Sequence, residues 1–243
     1  MPAPYQGFHC GPSQYFHVKT DVLRQSQPHQ LSHDDCGRPR FLFSALWSIP
    51  LTLFADYIGT ISGAWLVPTT IFPFRLFGVM PIEDFIWSFL VAYSIIIFYE
   101  HFLDKGADKL VGKRTKYLLW FWIILIIIFF AILIIRPEFL TIKYAYFYLG
   151  LVFILLPAIT FLSSFPRMLS KYVKTGSYFF LLMILYELTG LHLNQWQFPN
   201  RGFFVGWVDL LGYRFPFEEL FFFCILWAVS VLSYYEFFDD DSK

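Results

Sequence analysis

At 243 residues, with 57% hydrophobic and only 15% charged residues and a mean hydropathy of +0.55, the chain carries far more apolar surface than a water-soluble domain of this size can bury. The composition is that of a membrane protein. Formal net charge is zero, and no basic run with interleaved aromatics offers a nucleic-acid surface; the three cysteines, Cys10, Cys36 and Cys224, form no C-x-x-C pair, which argues against a disulfide framework and a zinc site.

Residues 1–40 are polar, rich in Gln, His and Pro, and lack the apolar core of a signal peptide, so they are expected to form a flexible cytoplasmic tail. The spacing of His9, His17, His29 and His33 fits no common ligand pattern, and these side chains read as solvated. The first apolar segment runs from Phe41 to about Tyr57, contains Pro50 and reaches Asp56 near its end. A loop rich in Gly, Thr and Pro then leads through Trp65 and Pro68 to Pro81. There a second helix is expected to begin and to run to about Phe102, since proline suits the first helical position. Tyr117 to Ile135 has no charged residue over 19 positions and is the clearest spanning segment. Tyr144 to Phe165 predicts a fourth helix kinked at Pro157, Ser177 to Leu191 a fifth carrying Glu187, and Pro216 to about Phe238 a sixth, followed by an acidic tail over 239–243. The expectation is an all-α polytopic membrane protein with six transmembrane helices, because lipid leaves backbone amides no partner except within a helix.

Six helices alternate the loops between two sides, and the 18 Lys and Arg residues divide unequally between them. Thirteen fall in the amino tail, the Lys105 to Lys116 loop, the Arg167 to Lys174 loop and Lys243. The other five are Arg75, Arg136, Lys143, Arg201 and Arg214. The positive-inside rule then puts both termini in the cytoplasm of a multi-pass cell-membrane protein.

Acidic residues recur at corresponding places in two halves. Pro81, Glu83 and Asp84 match Pro216, Glu218 and Glu219 at an offset of 135, while Asp56, Trp65 and Pro68 match Glu187, Trp196 and Pro199 at an offset of 131. Phe98-Tyr99-Glu100 further matches Tyr234-Tyr235-Glu236. This pattern is expected from an internal duplication: a first repeat over 41–116, a linking helix over 117–136 and a second repeat over 144–238. Equivalent helices would run in the same direction, so the repeats would be parallel and their motifs would face a shared interior. An acid just after a helix-starting proline is ordinary interaction with the helix dipole, worth about 0.3–1 kcal/mol. Duplication together with an upstream acid, Trp and Pro argues for a site instead. Glu100, Asp104 and Asp108 lie at i, i+4 and i+8 and could be taken for a magnesium-diphosphate face, but interleaved Lys105 and Lys109 favour a solvated helix end, and no metal site is assigned.

Nothing in the chain supports a redox cofactor or an acyl-transfer site: G-x-G-x-x-G and a nucleophile elbow are both lacking. Paired acids at membrane depth suit proton transfer, because burial and a neighbouring carboxylate both favour retention of a proton. In a dry aromatic cavity, such a donor can protonate an alkene while ring faces stabilise the cation. Trp87 and Phe222 lie four residues beyond Glu83 and Glu218, one turn further along each helix. Trp65 and Trp196 form a second candidate pair that serves equally well as interfacial anchors.

The segments Pro81-Ile82-Glu83-Asp84-Phe85 and Pro216-Phe217-Glu218-Glu219-Leu220-Phe221-Phe222, with the blocks from Asp56 to Pro68 and Glu187 to Pro199, resemble the integral-membrane lycopene cyclase domain family over residues 41–238. The resemblance implies non-redox cyclisation of the ends of lycopene, or a related linear carotenoid, into ionone rings without a cofactor. Glu83 and Glu218 would be candidate proton donors, and Asp84 and Glu219 bases or proton-sharing partners. Pairing with a homo- or hetero-oligomeric carotenoid-pathway subunit would fit the same family. In this chain the family's first spanning helix, corresponding to Tyr144 to Phe165, has no counterpart in polar residues 1–40. A prenyl-transferring membrane enzyme and a non-catalytic carotenoid-binding subunit are the competing expectations; a proton-coupled transporter lacks the broken helices and inverted repeat it would need.

Overall fold

The computed structural model describes residues 33–104 and 115–238; the first 32 residues, most of the Lys105 to Lys116 loop and the acidic tail lie outside them. The described chain is mostly helical, because apolar stretches satisfy their own backbone groups most completely as helices. Among the described residues, four helical segments are long and apolar enough to cross a membrane: Arg40–Ile61, Ile82–Asp104, Ala145–Ser164 and Glu219–Phe237.

Helix α1 (His33–Ile61) starts well before the expected Phe41 and ends after Tyr57. Backbone bonding continues beyond the apolar run, into the polar residues before it and one turn past Tyr57. Helix α2 (Ile82–Phe98) begins one residue after Pro81, which has extended backbone, and continues as a π-helical segment through Tyr99–Asp104. Helix α3 (Thr115–Ile135) agrees closely with the uncharged stretch. In the fourth apolar segment, α4 (Ala145–Gly150) joins α5 (Leu156–Ser164) through the π-helical Leu151–Leu155. Pro157 explains the irregularity: it has no N–H for the carbonyl of Phe153, and Ser230 Oγ donates to that carbonyl instead at 3.2 Å. Helix α6 (Leu169–His192) extends eight residues upstream of the expected Ser177, through a polar turn containing Lys171 and Lys174. The last helix opens as π-helical Glu219–Leu226 and ends as α7 (Trp227–Phe238).

Two short antiparallel hairpins add to the helices. Strands β1 (Arg75–Leu76) and β2 (Met80–Pro81) lead into α2; β3 (Trp207–Leu210) and β4 (Tyr213–Pro216) lead into the last helix. Both turn through left-handed pairs, Phe77-Gly78 and Leu211-Gly212, the backbone conformation that tight hairpins favour. The loops before the hairpins meet in one antiparallel bridge, Leu66 with Gln197, in which each N–H donates to the other's carbonyl at 3.0 and 2.8 Å.

Aromatic packing fills the centre. Trp47 of α1 meets Trp227 edge-on at 5.1 Å, and Phe54, Trp122 and Phe153 stack across α1, α3 and the α4–α5 segment. At one end of the bundle, Arg40 pairs with Glu100 at 3.3 Å, Tyr235 donates to Glu100 at 2.6 Å, and Lys171 pairs with Asp104 at 2.8 Å. Two of the three acids in the alternative magnesium-diphosphate face are thus engaged by cations and a hydroxyl; Asp108 lies outside the described residues.

Candidate functional site: an acid-lined aromatic cavity

At the opposite end, α1, α2, α6 and the π-helical start of the last helix enclose a cavity of about 390 Å³. Helical spacing selects the residues that face it. Thr52, Ala55 and Asp56 share one face of α1; Asp84, Trp87 and Ser88 one face of α2; Met183, Tyr186 and Glu187 one face of α6. The last helix contributes Glu219, Phe223, Cys224 and Trp227.

The two acids of each motif occupy different positions. Glu83 Oε1 accepts the backbone N–H of Phe72 at 2.8 Å, and Glu218 Oε1 accepts that of Val205 at 2.6 Å, so the first acid ties the preceding loop to its helix start. Glu83 also borders the cavity, whereas Glu218 is fully buried and does not line it. The second acids, Asp84 and Glu219, face the cavity together with the upstream acids Asp56 and Glu187. Four helical elements therefore each deliver a carboxyl to a common space, and α2 brings Glu83 to its border as well.

These four groups have unlike partners. Asp56 Oδ2 and Asp84 Oδ2 are buried and meet no hydrogen-bond donor. Glu187 receives Trp196 Nε1–H on both oxygens, at 3.2 and 3.1 Å. Glu219 accepts the hydroxyl of Tyr146, which comes from α4. The indole N–H of Trp65, by contrast, has no acceptor. Arg75 of the first hairpin donates to the carbonyls of Val67 and Val79 at 2.7 and 3.0 Å.

Rings form much of the wall. Trp65 and Trp196, expected as a pair from the sequence, stack at 5.8 Å; Trp87 stacks on Tyr186 at 5.3 Å and lies 6.3 Å from Trp227. Phe222 is not a cavity ring. It packs into the core against Phe147 at 6.1 Å and sits so close over Gly150 that a Cβ there would overlap it. The π-helical Glu219–Leu226 is the cause, since its wider turn rotates Phe223 rather than Phe222 towards the cavity. The offset between the halves provides the sequence signal: it is 135 at the acid motif and 136 at Tyr99 and Tyr235, an extra residue that the π-helix absorbs. Tyr146 and Tyr186 carried no such signal.

Among the described residues, no three His, Cys, Asp or Glu side chains cluster closely enough to hold a metal ion. The arrangement can hold and move protons, bind an apolar group among rings, and stabilise positive charge on that group by ring faces and carboxylates. No protein-family model, curated protein or solved structure matches the chain.

Proposed function

We propose that the chain is a membrane-embedded carotenoid cyclase that protonates one end of lycopene or a related linear carotenoid and closes it to an ionone ring, with no cofactor and no net redox change. The observation that carries this reading is the convergence of Asp56, Asp84, Glu187 and Glu219 on one aromatic cavity in a bundle containing four membrane-length apolar helices. A sphere of the cavity's volume is about 9 Å across, whereas a forty-carbon polyene is comparable to the roughly 30 Å bilayer core, so one chain end fits at a time.

The proposal includes six spanning helices, two parallel repeats and cytoplasmic termini. Equivalent local structure supports the repeats: the hairpin turns, the loop N–H bonds to Glu83 and Glu218, and the reciprocal bridge between Leu66 and Gln197, which are themselves 131 residues apart. At the far end, Tyr235 donates to Glu100 while the Tyr99 hydroxyl, which donates to Asp104 at 3.4 Å, lies beside Glu236, the reciprocal placement expected between two-fold related segments. Under this reading Asp56, Asp84, Glu187 and Glu219 handle protons, Glu83 and Glu218 hold the loops, and Trp87, Trp65, Trp196, Phe223 and Trp227 face the cation. The engaged state of Glu100 and Asp104 makes prenyl transfer the weaker reading.

Expression in a bacterium that accumulates lycopene tests the activity. The expected result is mono- or bicyclic carotenes of unchanged mass, lost in Asp84→Asn and accompanied by residual lycopene. Unchanged lycopene despite membrane insertion of the wild-type chain would remove the cyclase reading; carotenoid co-purifying unchanged with the protein would point to a binding subunit.

A further inference from the structure

The two halves present different hydrogen-bond environments to the cavity, and on this we propose a division of labour: Asp56 and Asp84, whose buried Oδ2 atoms meet no donor, carry the proton that starts the reaction, and Glu219, held by Tyr146, receives the proton that ends it. The inference rests on the cyclase reading for its chemistry, but the asymmetry stands on contacts alone. An ionised carboxylate only accepts hydrogen bonds, so a buried carboxyl oxygen that meets no donor is better neutral than charged. Asp56 Oδ2 and Asp84 Oδ2 are both buried in that position on the cavity wall. Glu187 and Glu219 instead have protein donors: the indole of Trp196 spans both oxygens of Glu187, and the Tyr146 hydroxyl meets Glu219. Those donors are what an anion needs in a site without bulk water.

The counterpart positions show why the halves differ. Trp65 corresponds to Trp196, but Asp56 is one methylene shorter than Glu187 and the Trp65 indole goes unaccepted. Tyr146 lies on the fourth apolar segment, the one that had no sequence counterpart in the first half. Arg75 of the first hairpin donates to two carbonyls, and its charge also reaches Glu83 and Asp84.

The step balances without an oxidant or reductant. The π electrons of the terminal alkene take a proton from the Asp56 and Asp84 pair, forming a C–H bond and a tertiary cation. The π electrons of the inner alkene close the six-membered ring and move the charge into it. A ring C–H proton passes to the Glu219 carboxylate, and the electrons of that bond become the ring double bond. One proton has moved from the aspartate pair to Glu219, and exchange with water restores both.

Infrared difference spectroscopy of the purified full-length chain in lipid nanodiscs, without carotenoid, reads the protonation directly. The expected result is a protonated-carboxyl C=O band, shifted in D2O, that is lost in both Asp56→Asn and Asp84→Asn and retained in Glu187→Gln and Glu219→Gln. Two aspartate variants guard against misfolding of either, and elution as a single species by size exclusion qualifies each protein. A band that survives both aspartate changes, or vanishes in the glutamate variants, overturns the assignment. Product analysis in lycopene-accumulating cells then separates the assignment from the cyclase reading. With an active wild type, Asp84→Asn should give no conversion, while Glu219→Gln should still consume lycopene but yield double-bond isomers or hydrated products. The reverse pattern overturns the division of labour and leaves the cyclase standing; an inactive wild type with the expected infrared band removes the cyclase and leaves the proton assignment.

Discussion

Replacing Gly190 with alanine tests how the cavity wall is held. The Trp196 ring packs against α6 where Gly190 has no side chain, and a Cβ at that position would overlap the six-membered part of the indole. The ring has little freedom to yield: it is buried, stacked on Trp65, and bound through Nε1 to both oxygens of Glu187. Overpacking costs about 1–3 kcal/mol. Displacing the indole also removes a hydrogen bond to an acidic partner, about 1.5–3 kcal/mol, while alanine's better helix propensity returns about 1 kcal/mol. The net loss should be about 1.5–5 kcal/mol. Gly59 provides the control, because a Cβ there meets Trp65 Cβ at 3.5 Å, an ordinary contact, so Gly59→Ala should be neutral or stabilising by up to about 1 kcal/mol. Reversible unfolding in mixed micelles, followed by tryptophan fluorescence, measures both. Equal stability of the two variants would refute the claim that Trp196 is fixed where it stands.

The two indoles should also respond differently when truncated. Trp196→Phe should destabilise by about 1.5–3 kcal/mol through loss of its bond to Glu187, whereas Trp65→Phe, which removes an N–H that has no acceptor, should cost less than about 1 kcal/mol; the same unfolding assay decides. Glu218→Ala deletes the acceptor of the Val205 N–H and should cost about 1–3 kcal/mol, read as faster limited proteolysis in the 199–206 loop, while Glu218→Gln keeps an acceptor and should resemble the parent. Tyr146→Phe removes the hydroxyl held by Glu219, and loss of about 1.4 kcal/mol of stabilisation would slow carotenoid conversion about tenfold without lowering expression; an unchanged rate would separate Tyr146 from the chemistry.

Much of the molecule was legible from residue order. Long apolar runs located the helices, because burying their backbone leaves few alternatives to internal hydrogen bonding. Acids placed in otherwise apolar segments, repeated with an upstream acid, Trp and Pro, named every carboxyl that faces the cavity, since an acid there is expensive unless it has a use or a partner. Helix ends were less accurate: hydropathy falls off where burial stops, but α1 and α6 continue through polar residues as long as their backbone bonds do. Tertiary structure alone decided that the first acid of each pair ties a loop, and that Glu83 still borders the cavity while Glu218 does not, because that depends on where the preceding loop delivers its N–H groups. It also replaced Phe222 with Phe223 through a π-helical turn, and brought Tyr146 to Glu219 across 73 residues. Residue type and spacing determine which groups must be satisfied; which partner satisfies them is settled only when distant helices pack.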